Sequence, residues 1–392
     1  MARIDVSTAL RRARLSGPAT IPEILAQAAT EVGATDVVVY LVDFGQTTLE
    51  PLPDRSVHAE VPSTEAVATT IAGRAFTDEE VVVAPREDGV RVWAPVLEGS
   101  DRTGVVAATL RSDDAETLQA IADLGLLAGY LIAAQARCTD LYNLYRRQRS
   151  MSLEASMQWD LLPPLVLRTS TVSVAGLVEP AYDVGGDCFD YADNGPMFDL
   201  AIMDAMGHGL HSAVLANLAM GSYRHGRREG HPLPQMHNTL GATLAAEYDD
   251  ASFVTGILAR IDVASGELTW TNAGHPRPLL VRGGKVVREL KAPATSAPWG
   301  IGPGRAIVGT ERLEPGDSVL LYTDGVVEAR TPTGEEFGFE RLVDLTQNHA
   351  SDLVRPQEIV RRLVGQVLEH QATELRDDAT VVLVRWEGPS SG

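Results

Sequence analysis

The chain has 392 residues, 44% of them hydrophobic and 22% charged, and a formal net charge of −20 at pH 7. That charge repels phosphate backbones and argues against direct nucleic-acid binding. No run of about 18 apolar residues suggests a membrane span, and the basic amino terminus lacks the apolar core of a signal peptide. The two cysteines, Cys138 and Cys188, make no disulfide framework and point to a reducing cytoplasm.

The length suggests two or three domains. In the first region, residues 16–111, Ile21 to Val32 reads as a helix and Val37 to Val42 as a strand. Ser63 to Ala75 reads as a helix, followed by strands at Val81 to Val83, Val90 to Leu97 and Gly104 to Leu110. This mixture predicts a small α+β domain. Its one histidine, His58, has no metal-ligand partners in sequence.

A helical stretch is predicted from about Ala115 to Trp159. Leu127, Leu131, Ala134, Cys138, Leu141 and Tyr145 follow spacings of four and three, a heptad-like seam. It reads either as a helix packed on its own domain or as a signalling helix that pairs two subunits. Arg146, Arg147 and Arg149 interrupt it, and Pro163-Pro164 ends the short amphipathic piece that follows.

The third region, about Leu165 to Trp386, is rich in strand patterns interleaved with helices at Ser212 to Arg224, Pro234 to Glu247, Phe339 to Asn348 and Pro356 to His370. Acidic residues stand at the ends of its apolar strands: Gly185-Gly186-Asp187 with Asp190, Asp204-Ala205-Met206-Gly207-His208-Gly209, Tyr322-Thr323-Asp324-Gly325, and Arg376-Asp377-Asp378-Ala379. Any one Asp-Gly pair alone marks a turn. Four such segments in one domain point to carboxylates converging in one cleft. Without Lys or Arg partners those carboxylates repel one another until a hard dication such as Mg²⁺ or Mn²⁺ binds.

These segments, with Leu161-Leu162-Pro163, Val184 before Gly185, Asn272-Ala273-Gly274-His275-Pro276 and Val326-Val327-Glu328-Ala329, resemble the SpoIIE/RsbU-type branch of the PPM metal-dependent protein phosphatases over about Met151 to Trp386. The resemblance implies an α-β-β-α sandwich and a serine/threonine phosphatase using two divalent ions, Mn²⁺ or Mg²⁺. It implies that Asp187 and Asp204 are the catalytic carboxylates that hold both ions, with Asp187 bridging. The carbonyl of Ala205 adds an oxygen, and Asp324 and Asp377 complete one shell. Asp378 is the member of its pair left outside.

The resemblance further implies a phosphorylated anti-sigma-factor antagonist as substrate. The alternative is a metal-bound scaffold that only binds a signalling partner. One departure is that no histidine stands in the first motif and Met206 lies two after Asp204, which leaves the proton donor unassigned.

The first region resembles a GAF sensor in element order, open to a small-molecule or protein signal. The expected organisation is a GAF-like sensor with exit helix at 1–138, a dimerising helical linker at 139–164, a phosphatase domain at 165–387 and a disordered tail at 388–392. The expected assembly is a homodimer without nucleic-acid or membrane partners.

Other chemistries fit poorly. Cys138 and Cys188 lack the arginine six residues on that a cysteine phosphatase needs, and no P-loop occurs. Gly300 to Gly304 lacks the dinucleotide spacing, and His208 with His211 lacks a third zinc ligand nearby.

Overall fold

The computed structural model describes residues 3–52, 62–87, 89–183, 185–248, 252–301, 304–350, 355–371 and 377–389. His58, Val184, Gly302, Pro303, Arg376 and the last three residues of the tail therefore lie outside the described residues. The chain forms two compact units, residues 1–150 and 151–392.

The first unit runs α1 (Val6–Ala13), α2 (Ile21–Thr30), β1 (Thr35–Val42), β2 (Thr48–Leu52), β3 (Glu65–Ala66), α3 (Ile71–Asp78), β4 (Val82–Arg86), β5 (Gly89–Glu98), β6 (Asp101–Leu110), α4 (Ala115–Ala136) and α5 (Leu141–Arg146). Its antiparallel sheet has the order β3-β2-β1-β6-β5-β4. Strand alternation sorts β1 onto two faces. Val37, Val39 and Leu41 pack with α1, α2 and α4, whereas Val38, Tyr40 and Val42 pack with α3. Ile21 and Leu25 of α2 are fully buried, each worth about 2 kcal/mol of apolar transfer.

Gly125 and Gly129 let α4 lie close on β5. A Cβ there would stand 2.3 Å from the Pro95 carbonyl oxygen and 2.0 Å from that of Leu97, respectively. By length and composition α4 could cross a membrane, yet 50% of that stretch is buried within the unit.

Two sequence expectations need correction. The helix expected over Ser63 to Ala75 starts only at Ile71, because Thr70 caps it by accepting the Gly73 amide at 3.0 Å. The segment before it contributes the edge strand β3. The helical stretch expected from Ala115 to Trp159 breaks at the basic cluster as expected, with α6 (Leu153–Leu161) after it, but also breaks at residues 137–140, so that it is three helices. Arg147 is extended, and the Ser152 hydroxyl opens α6 by accepting the Ala155 amide at 3.1 Å. Leu127, Leu131, Leu141 and Tyr145 of the seam pack into their own unit's core. The large apolar side chains exposed on α4 are Leu126 and Tyr130, and Ala134 of the seam is exposed as well.

The second unit continues from α6 through β7 (Val166–Arg168), β8 (Val172–Glu179), β9 (Asp187–Asp193), β10 (Met197–Ala205), α7 (Leu210–Arg228), α8 (Leu233–Glu247), β11 (Val254–Asp262), β12 (Glu267–Ala273), β13 (Leu279–Arg282) and β14 (Lys285–Glu289). It ends with β15 (Val308–Arg312), β16 (Ser318–Tyr322), α9 (Asp324–Val327), α10 (Phe339–Ala350), α11 (Pro356–Gln371) and β17 (Ala379–Trp386). Two antiparallel sheets result, β15-β12-β11-β10-β9 and β14-β13-β16-β17-β8-β7. Phe189, Phe198, Leu200, Ile202 and Trp270 of the first sheet share a core with side chains of β8, β16 and β17 from the second. The opposite face of the first sheet, including Cys188, Ala201 and Met203, packs under α7 and α8. Helices α10 and α11 pack on the second sheet. The layers are therefore α-β-β-α.

His237 of α8 is 1% exposed, lies edge-on to Trp299, and has no hydrogen-bond partner at either ring nitrogen among the described residues. Burial lowers its pKa from 6.5 to about 4. The unfolded chain thus takes up this proton near pH 6.5, and the folded chain only near pH 4. Stability falls as pH drops through that window, by up to about 3 kcal/mol from this group. His237→Leu should flatten the slope between pH 6.5 and 4 by about one proton. Superimposable pH–melting curves for the two proteins would remove this role.

Candidate functional site

The four acidic segments meet at one end of the sandwich, two from each sheet. In the five-stranded sheet, Asp187 opens β9 and Asp204 lies near the end of β10. The antiparallel register sets these two directly opposite each other. In the six-stranded sheet, β16 ends at Tyr322, Thr323 precedes α9, and Asp324 is the first residue of that helix. Asp377 and Asp378 lead into β17, the neighbour of β16.

Hydrogen bonds cross between the sheets at this point. The Thr323 hydroxyl donates to Asp187 Oδ2 at 2.7 Å and accepts the Thr380 amide at 2.9 Å. Asp378 Oδ2 accepts the amides of Gly186 at 2.6 Å and Asp187 at 3.1 Å. Gln158 of α6 donates to the Asp187 carbonyl at 2.7 Å and reaches Asp378 Oδ2 at 3.4 Å. The Ala205 amide donates to the Gly186 carbonyl at 3.1 Å, which fixes the two acidic turns against each other.

The pattern of charge is lopsided. Burial raises the Asp187 pKa well above the usual carboxylate range, and the charges of Asp204 and Asp378 raise it further. Asp204 is pushed up to about 7 by burial and by Asp324, Asp377 and Asp378. Asp378 is raised to about 6, mainly by burial, against the pull of the two amides it accepts. Asp377 is raised by loss of water around its carboxyl and by Asp324, against the Asp378 amide and His208, which lower it. No lysine or arginine is among the leading influences on any of the four. Such a set must hold protons or gain a cation, and its hard oxygens suit a divalent ion. Asp378 Oδ1 is buried without a hydrogen-bond partner among the described residues. As arranged here, no group of three or more His, Cys, Asp or Glu side chains among the described residues is close enough to hold an ion.

Asp190, quoted with the first acidic motif, stands apart. It accepts from Arg224 at 2.8 Å and from Arg227 at 2.7 Å, both on α7. Arg224 also donates to the Leu161 carbonyl at 2.6 Å, so this ion pair ties α6, β9 and α7 together. His208 is exposed on the bend before α7, and His211 faces Ser252 and the Tyr248 ring.

Sequence reasoning missed Gln158, Thr323 and Thr380. Thr323 carries a helix-start signal, a threonine just before Asp-Gly. Gln158 lies 29 residues before Asp187 and carries no local signal.

Comparison with known proteins agrees with this geometry. Residues 196–387 match the family model described as "Stage II sporulation protein E (SpoIIE)". Phosphoserine phosphatase RsbU of Bacillus subtilis is 24% identical over 264 residues, 66% of this chain and 77% of that protein. Protein IcfG of Synechocystis is 31% identical over 144 residues, 36% of this chain but only 22% of IcfG. The chain thus spans about a fifth of IcfG and about three quarters of RsbU. Among solved structures, the SiaA-PP2C domain of Pseudomonas aeruginosa superposes with a TM-score of 0.50 at 22% identity, covering 59% of this chain and 94% of that domain. This last likeness bears on the fold alone. Two facing sheets flanked by helices and the family match together place residues 196–387 in the SpoIIE family, on a fold shared with a PP2C domain.

Proposed function

We propose that the second unit hydrolyses phosphoserine or phosphothreonine on a protein, using two divalent cations, Mn²⁺ or Mg²⁺. The observation that carries this is the meeting of Asp187, Asp204, Asp324 and Asp377 at one end of the sandwich, with no lysine or arginine among the leading influences on Asp187, Asp204 or Asp377. Asp187 and Asp204, opposed across one ladder, would hold both ions, with Asp187 bridging. The Ala205 carbonyl would add an oxygen, and Asp324 and Asp377 would close one shell. Two bound cations would lower the pKa of a water and neutralise phosphoryl oxygens, supporting in-line displacement at phosphorus.

The other groups orient this set. Thr323 fixes one oxygen of Asp187, and Asp378 fixes the backbone that carries it. Asp378 engages both amides through Oδ2 alone, which supports a role in positioning that backbone.

RsbU, a phosphoserine phosphatase by name, supports this reaction class. We take the substrate to be a phosphorylated anti-sigma-factor antagonist in a partner-switching pathway, and the enzyme to be a cytoplasmic homodimer. The exposed Leu126 and Tyr130 of α4 offer an apolar face for pairing. The first unit would be the GAF-like sensor, in keeping with its six-stranded sheet between helices and its long exit helix.

The alternative is a metal-bound scaffold that only binds a signalling partner. Phosphate release from a phosphoserine protein separates the two. Turnover should require Mn²⁺, vanish with chelator and return on re-addition. A protein that binds Mn²⁺ yet releases phosphate from neither phosphoproteins nor aryl phosphates would be a scaffold.

A further inference from the structure

A groove of about 800 Å³ adjoins Asp324, between the turn after β12 and the segment that follows β14. His275, Arg277, Glu289 and Lys291 are among its lining residues. Arg277 Nη1 lies 3.7 Å from Glu289 Oε2, and Lys291 Nζ lies 3.6 Å from the same oxygen. Arg277 and Lys291 share Glu289, and the groove's other carboxylate, Asp324, is one that the proposed ions would neutralise, so metal binding would leave the cations in excess here. Both contacts are long and solvent-exposed, so they add little to stability.

The turn that carries Arg277 is firmly built. Asn272 Oδ1 accepts the His275 amide at 2.8 Å, and Asn272 Nδ2 donates to the His275 carbonyl at 2.9 Å. His275 Nδ1 pairs with the Thr255 hydroxyl at 2.8 Å, and Thr255 lies directly across the ladder from Asp204. Pro276 and Pro278 restrict the backbone on either side of Arg277. Arg277 is thus held in a fixed relation to the acidic site. His275 is 5% exposed, and its Nε2 has no hydrogen-bond partner among the described residues.

We propose that this groove receives the polypeptide flanking the phosphoserine, and that Arg277, assisted by Lys291, selects an acidic side chain there. The inference rests on the phosphatase reading and assigns its specificity to named residues. Charge complementarity of this kind governs partner choice more than raw affinity.

The test uses the full chain with Mn²⁺ and two phosphoserine peptides that differ only in carrying glutamates or lysines beside the phosphoserine. The measured quantity is the ratio of their kcat/KM values, which is internal to each protein and so independent of its folded fraction. The wild type should prefer the acidic peptide by roughly tenfold. Arg277→Glu should lose or invert that preference, and Lys291→Glu should weaken it. A wild type without preference, or an Arg277→Glu ratio equal to that of the wild type, overturns the inference. Turnover of both peptides with either such ratio leaves the phosphatase reading standing. Absence of turnover on both peptides and on aryl phosphate removes that reading and the inference with it.

Discussion

Asp204→Asn should lower phosphate release at least about a thousandfold while the domain stays folded. Asp204 faces Asp187 across the ladder and feels the charges of Asp324, Asp377 and Asp378. An amide keeps the shape but removes the charge on which a shared cation pair depends. The same change relieves repulsion in the metal-free protein. Asp204 holds its proton to a pH of about 7, against 3.8 ordinarily, so its ionisation weakens the metal-free fold as pH rises through that interval. At pH 8 in chelator the variant should therefore be more stable than the wild type, by roughly 1–3 kcal/mol. Thermal melts and a Mn²⁺-dependent release assay check both halves. Near-wild-type turnover would refute the site.

Gly325→Ala should damage stability and metal binding together. Gly325 lies in α9, next to Asp324, and a Cβ there would stand 2.0 Å from the Asp378 carbonyl oxygen. Backbone atoms cannot yield as a flexible side chain can, so the lead-in to β17 must shift. The expected cost is about 2 kcal/mol from overpacking. Because that lead-in carries Asp377 and Asp378, Mn²⁺ affinity should fall at least about tenfold. Denaturant melts and calorimetric titration with Mn²⁺ provide the check, and unchanged values in both would exclude a tight approach of these backbones.

The aspartates were legible because their signal is local: an apolar strand, then acid and glycine. The sandwich was legible only through resemblance, since strand patterns do not say which sheet a strand joins. Asp190 shows the limit. Its sequence neighbours place it with the first acidic motif, but its partners are Arg224 and Arg227, 34 and 37 residues later on one helix face. No local pattern reports such a pairing. The seam of residues 127–145 left two readings open for a related reason. Spacing shows that a helix has an apolar side, and Gly125 and Gly129 suit it to its own sheet, but nothing in the spacing names the covering surface. Gln158 was invisible because a single buried glutamine in a short helix matches no template.

The Thr323–Asp187 hydrogen bond has a mechanical consequence. It joins the edge of one sheet to the other at the place where all four carboxylates gather. A cation pair bound there would act as a clasp, cross-linking two sheets already joined by apolar packing and by the hydrogen bonds of Thr323 and Asp378. Loading the clasp should slow amide exchange in β9, β10, β16 and β17 together, although those strands belong to separate sheets. Strain applied to either sheet, including through α6 and Gln158, would then be felt as a change in cation affinity.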